Sequence, residues 1–230
     1  MKGQYTDLAD EYYDEGLHPT CKAFRDASYL ALGAWREVVR GSRVCEVGSG
    51  RSLLAERFGS LARSLVLVDS SRKMLDHSRP FWGRSVLPVC AAAERLPVPS
   101  ECCDGVVSIL GDPYNTIEFW REVHRVVIPG GFAIYTTPAY DWARDFRGAA
   151  LEAEFKLRNG SSLLVPSLVF PANGQRGMIE AMGFEVVAVR SIHLGDLQRA
   201  GYAVDKAHKL SRDSNPSGEV VTGYLGRRRG

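Results

Sequence analysis

The run Arg43-Val44-Cys45-Glu46-Val47-Gly48-Ser49-Gly50-Arg51-Ser52 leaves this chain few folds to choose from. Its apolar half suits a central parallel strand, buried on both faces. Gly48 and Gly50 let the backbone turn sharply and approach a ligand where a β-carbon would collide, and a helix begins near Ser52. Twenty-one residues after Gly48, a second apolar run, Leu65-Val66-Leu67-Val68, ends in Asp69. An acid at the tip of the neighbouring strand is placed to accept hydrogen bonds from a ribose diol. Together these features predict an α/β fold, a doubly wound sheet with a nucleoside crevice at its switch point.

The glycine pattern narrows the nucleoside. A dinucleotide fingerprint needs a third glycine three residues after Gly50, and that position is Leu53. Glu46 stands two residues before Gly48, where a carboxylate repels a pyrophosphate but suits an ammonium or sulfonium centre. Here the sequence resembles the class I S-adenosylmethionine-dependent methyltransferases, whose first motif is an acid, an apolar residue and Gly-x-Gly. Asp69-Ser70-Ser71-Arg72-Lys73-Met74-Leu75 matches the Asp-x-Ser-x-x-Met-Leu signature of the group that includes quinone-biosynthesis methyltransferases. Ala93-Glu94-Arg95-Leu96-Pro97-Val98 resembles the family's adenine-edge segment, with two departures. Ala92 stands where the family commonly has Asp, and Ser52 where the first motif has its final glycine.

The resemblance spans about residues 40–137. It implies a Rossmann-like, seven-stranded, mostly parallel sheet of order 3-2-1-4-5-7-6, with S-adenosylmethionine as cofactor and S-adenosylhomocysteine as product. It places Glu46, Gly48, Ser49, Gly50, Asp69, Ser70, Met74, Ala93, Glu94, Leu110 and Tyr13 at the cofactor. Domain organisation reads as one methyltransferase domain: a helical lid over 1–40, a cofactor core over 41–138, a substrate-side insertion over 139–172, and the rest of the sheet over 173–230.

Composition excludes other classes. A formal charge of +2 offers no footprint for nucleic acid, and no apolar run approaches a membrane span. The N-terminus lacks a basic-then-apolar signal pattern, and five cysteines show no metal-type spacing. Cys45 and Cys90 read as small apolar residues of core strands, and the compartment as reducing cytoplasm. No metal is expected. The partner is a small-molecule acceptor, and the state monomer or homodimer.

Along the chain, Tyr5, Leu8, Ala9, Tyr12 and Tyr13 have helical spacing over 5–15. The Tyr13-Asp14 pair marks this as a lid by resemblance. Pro19 opens a helix through Phe24, Ala27, Leu30, Ala31, Ala34 and Val38 to Gly41. For His18, Cys21 and Arg25 a capping or surface role is favoured over ligand contact. Pro88 puts the third strand at an edge. The fourth strand, Asp104–Leu110, ends in Gly111-Asp112-Pro113-Tyr114-Asn115, which borders the site by topology and partly echoes the Asp-Pro-Pro-Tyr motif of amine methyltransferases. Glu152–Arg158, the Asn159-Gly160 turn and Leu163-Leu164-Val165 predict a β-hairpin. Before it, Tyr140, Trp142, Arg144, Phe146 and Arg147 are candidates for lining a substrate chamber, with core packing the alternative. Residues 195–213 read as helical, and 219–225 as the last, antiparallel strand.

The reaction implied is in-line methyl transfer to a small-molecule oxygen or nitrogen, driven mostly by alignment. A base is needed only if the acceptor must first lose a proton. The candidates, in order, are Asp112, Tyr114, His18 and His124, the last favoured as a surface residue. The alternatives are a methyltransferase acting on a macromolecule and an inert nucleoside-binding module.

Overall fold

A computed structural model of the chain describes residues 4–147, 151–210, 215 and 217–230, without the side chains of 145–147. The elements in order are α1 (Gln4–Leu8), α2 (Pro19–Gly33), α3 (Arg36–Val39), β1 (Arg43–Val47), α4 (Leu53–Phe58), β2 (Ser64–Asp69), α5 (Arg72–Asp76), β3 (Val86–Cys90) and β4 (Cys103–Ser108). Then come α6 (Ile117–Val126), β5 (Val127–Pro138), α7 (Tyr140–Arg147), β6 (Glu152–Lys156), β7 (Ser162–Pro166), α8 (Ala172–Ala181), β8 (Phe184–His193), α9 (Leu194–Arg199) and β9 (Glu219–Arg228).

Seven strands form one sheet of order β3-β2-β1-β4-β5-β9-β8. With the two hairpin strands set aside, this is the order the sequence implied. The first five are parallel, and β9 runs antiparallel between β5 and β8. β2 lies on one side of β1 and β4 on the other, which opens the crevice at the carboxyl ends of β1 and β4.

Alternation along the buried strands builds two cores. Cys45 and Val47 face Phe119, Trp120 and Val123 of α6, while Val44, Leu65 and Leu67 face Leu54 and Phe58 of α4 and Leu32 of α2. A third cluster packs Ala23, Ala27 and Ala31 of α2 onto Ile192, Val220 and Val221. Three alanines on one face let that helix lie close to the sheet. The hairpin pairs Glu152↔Pro166 through Lys156↔Ser162 as a separate two-stranded sheet, turning through Asn159-Gly160.

Several sequence expectations need correction. The helix over 5–15 stops at Leu8, whose carbonyl accepts the N–H groups of Glu11 and Tyr12 as the chain passes into turns, and the Asp14 carboxylate then accepts Gly16 N and Leu17 N in a further local turn. The helix over 195–213 ends at Arg199, two residues before Gly201 turns with φ +81°; its residues 211–213 lie outside the described residues. Cys90 is exposed on edge strand β3 rather than in the core, whereas Cys45 is buried. Pro88 does sit on that edge strand. Of the proposed chamber, Trp142 packs against Phe24 and donates to the Lys209 carbonyl, while the side chains of Phe146 and Arg147 are outside the described residues.

Candidate active site

At the carboxyl end of β1 the chain needs two backbone conformations that side chains resist. Gly48 has φ +64° and Gly50 φ +41°. A β-carbon on Gly48 would overlap the Tyr114 hydroxyl, and one on Gly50 the Tyr13 hydroxyl. The turn is held from below by Ser78, whose Oγ donates to Gly50 O at 2.6 Å and accepts from Ser52 N at 2.8 Å. Ser52 then caps α4 by accepting Ala55 N at 2.8 Å, and its hydroxyl donates to Glu46. The departure from glycine at 52 therefore supplies both a cap and a partner for the buried acid.

Two carboxylates frame the turn. Asp69, at the tip of β2, accepts Gly50 N on one oxygen at 3.0 Å and Ser71 N on the other at 2.9 Å. It is 8% exposed, and burial raises its carboxyl to about 6 against those backbone hydrogen bonds. Glu46 is 1% exposed, and burial raises it to about 7. Neither acid has a cationic side chain as ion-pair partner among the described residues, so the region holds negative potential with little to offset it.

Above the turn lies a cavity of about 330 Å³. One wall comes from the β1, β2 and β3 ends: Glu46, Gly48, Ser49, Asp69, Ser70 and Met74, with Ala92, Ala93 and Glu94 closing the far end. The other comes from Ile109, Leu110, Pro113 and Tyr114 after β4, Pro166 at the end of β7, and Tyr5 and Tyr12 of the N-terminal segment. Leu110 adopts φ +54°, strained for a side-chain-bearing residue, and its N–H donates to Thr136 Oγ1 at 2.9 Å. Tyr13 lies over the glycine turn, accepting Arg51 N at 2.6 Å, and the Arg25 guanidinium stacks 4.6 Å above its ring. Arg25 lines the cavity too.

Ten of the eleven cofactor candidates line this one cavity; Gly50 is held beside it by its hydrogen bond to Asp69. The base candidates fare differently. Tyr114 lines the cavity, but its hydroxyl donates to Val47 O at 2.7 Å, bonds Ser108 Oγ at 2.9 Å, and is kept protonated by burial well above the usual phenol range. Asp112 is not in the lining; its carboxylate accepts Ser167 Oγ at 2.5 Å and its carbonyl accepts Leu168 N at 2.8 Å. Asp112 thus docks the chain leaving the hairpin onto the loop after β4. His18 is buried against the Phe155 ring, outside the lining, with Nε2 unpartnered. His124 sits against Gly183 and Phe184 with Arg228 beside it, also outside the lining.

The sequence reading favoured a capping or surface role for Arg25 over ligand contact, and placed Tyr5 and Tyr12 in a helical lid segment with ordinary packing as the alternative; both tyrosines and Arg25 line the cavity. Arg25 stands one turn before Ser28, whose hydroxyl bonds Thr136 of β5, a long-range contact that no local sequence signal announces.

Residues 45–135 match a family model described as a methyltransferase domain. A malonyl-[acyl-carrier protein] O-methyltransferase of Marinomonas sp. (strain MWYL1) is 39% identical over 101 residues, covering 39% of this chain and 35% of that protein. The chain spans between 31% and 52% of the length of the curated relatives it matches. In three dimensions, an S-adenosylmethionine-dependent methyltransferase from Mesorhizobium loti superimposes with TM-score 0.66 at 19% identity, covering 88% of this chain and 98% of that one. The [4+2]-cyclase SpnF does so with TM-score 0.60 at 20% identity, covering 86% and 79%. At such identities the superpositions establish fold alone. Motif register, matched segment and strand order agree: residues 45–135 match a methyltransferase domain and are set in a Rossmann-like α/β sheet of the methyltransferase fold.

Proposed function

We propose that the chain binds S-adenosylmethionine in the cavity above Gly48 and Gly50 and transfers its methyl group to a small-molecule acceptor. The observation that carries this reading is the charge layout of the cavity. The donor has a ribose diol, a cationic amino-acid end and one carboxylate. Asp69 suits the diol, the potential of Glu46 suits the cationic end, and Arg25 suits the carboxylate. Arg25 has no carboxylate partner of its own among the described residues, so it is available for that pairing.

When bound, the donor supplies an electrophilic methyl on a sulfonium, and the acceptor–carbon bond forms as the carbon–sulfur bond breaks with its electron pair left on sulfur. The protein's share is alignment and exclusion of water. Tyr114 and Tyr13 press on the two glycines, fixing the turn, while the segment around Tyr12 and Tyr13 covers the crevice. An acceptor hydroxyl or amine sheds its proton on methylation. The lining offers no neutral imidazole or free carboxylate beside the β4 end among the described residues, which favours proton loss to solvent over a dedicated base.

Gln4, Tyr5, Tyr12 and Tyr13 in the lining support the N-terminal segment before α2 as lid, and Pro166 supports the hairpin as acceptor wall. A +2 charge and a cavity of this size favour a small acceptor over a macromolecule. No helix of the described residues is long and apolar enough to cross a membrane, and five free cysteines fit a reducing cytoplasm.

The test is a thermal-shift titration with S-adenosylmethionine, S-adenosylhomocysteine and NAD. The first two should raise the melting temperature with concentration, and NAD should leave it unmoved. A shift with NAD alone overturns the reading. Methyl incorporation into a small-molecule pool then separates transfer from mere binding.

A further inference from the structure

Every charged side chain in the lining belongs to one part of the cavity. Glu46, Arg51, Asp69 and Glu94 come from the β1, β2 and β3 ends, and Arg25 from α2 over Tyr13. The remaining wall, made by Tyr5, Tyr12, Ile109, Leu110, Pro113, Tyr114 and Pro166, carries no charge among the described residues. This is the side where an acceptor must lie, because the donor's binding groups occupy the other.

The four tyrosines of the cavity are not equivalent. The hydroxyls of Tyr13 and Tyr114 are spent on Arg51 N, Val47 O and Ser108. Those of Tyr5 and Tyr12 meet no partner among the described residues, yet neither hydroxyl is fully buried. Both side chains are only half-buried by area, although burial raises both phenols far above their usual range. A group so surrounded that still keeps accessible area faces an enclosed space. The two rings meet edge to face with centroids 6.1 Å apart, and Phe155 of the hairpin closes behind Tyr12 at 6.0 Å. Asp112 fixes the opposite wall by holding Ser167 and Leu168, next to Pro166.

We propose that this wall is the acceptor subsite and that it takes an uncharged planar ring bearing a hydroxyl or carbonyl, which the Tyr5 and Tyr12 hydroxyls recognise. The assignment rests on the methyltransferase reading above. A charged acceptor entering here would lose its hydration, and Arg25, the cation nearest Tyr12, is taken by the donor's carboxylate. An uncharged ring finds aromatic faces and prolines for its flat surface. It also finds two protonated phenols whose hydrogen bonds are otherwise unmade, and each of those is costly to leave so once water is displaced.

The test is calorimetry on the full chain saturated with S-adenosylhomocysteine, titrated at pH 7 with phenol, benzoate and benzylammonium. Phenol should bind at least tenfold tighter than either charged probe. Tyr5→Phe and Tyr12→Phe should each weaken phenol about five- to tenfold, the worth of one hydrogen bond, with product affinity and melting temperature unchanged. Equal or tighter binding of a charged probe, wild-type phenol affinity in both variants, or no phenol binding at all overturns the subsite. Failure of S-adenosylhomocysteine to bind sinks the functional reading instead, so the two failures are told apart.

Discussion

Glu46 gives the account its most quantitative handle. It is 1% exposed on a central strand, with the Ser52 hydroxyl as donor, and burial lifts its carboxyl from 4.5 to about 7. The folded state therefore holds the proton more tightly than the unfolded chain does. Stability is highest below the unfolded value, falls as pH rises through the window between 4.5 and 7, and levels off above. Once ionised in both states the group costs about 3 kcal/mol. Between pH 5 and pH 8 its share of the loss is ~2 kcal/mol. Glu46→Gln keeps the shape and a carbonyl oxygen for Ser52 but cannot ionise. Urea unfolding of both proteins at pH 5 and pH 8 reads the difference, provided the m-values agree. The wild-type drop in stability should exceed the variant's by about 2 kcal/mol, since Asp69 and all other groups titrate in both. Parallel pH dependence would show that Glu46 is not a strained buried acid. The same variant should bind the donor more weakly, because the negative potential it removes is the part that suits a cation.

Other substitutions probe neighbouring parts of the site. Gly48→Ala sets a methyl against the Tyr114 hydroxyl at positive φ, and should abolish donor binding and lower stability by about 1–3 kcal/mol; a neutral result in calorimetry and unfolding would mean the turn is not constrained as described. Asp112→Asn should leave the pH profile of turnover unchanged, because the carboxylate docks Ser167 rather than taking a proton. A loss of two or more orders of magnitude, with a vanished acidic limb, would restore Asp112 as a base.

The sheet was legible because its signals are local. Apolar runs, two glycines and an acid at the end of the second run fix β1, β2 and the turn between them, and these depend on few distant contacts. Glu46 and Asp69 ride on those elements, Met74 on α5 and Glu94 just after β3, and all four line one cavity. What the sequence hid was set by long-range docking. Arg25 looks like an ordinary helix arginine until Ser28 and Thr136 show which face of α2 meets the sheet. Asp112 looks like a loop acid at the right strand end, and only the returning hairpin, with Ser167, reveals where its carboxylate turns. Tyr5 and Tyr12 were read as one helical stripe, but the chain leaves the helix at Leu8 in backbone turns, and both rings line the cavity.

The central claim is that Asp69 and Arg25 hold two ends of one adenosyl amino acid. Titration calorimetry of S-adenosylhomocysteine against wild type, Asp69→Asn and Arg25→Gln tests it most directly. The account predicts binding to the wild type and a loss of about ten- to a hundredfold in each variant, the worth of a charge-assisted hydrogen bond. Wild-type affinity in both variants, or no binding to the unaltered protein, would contradict it.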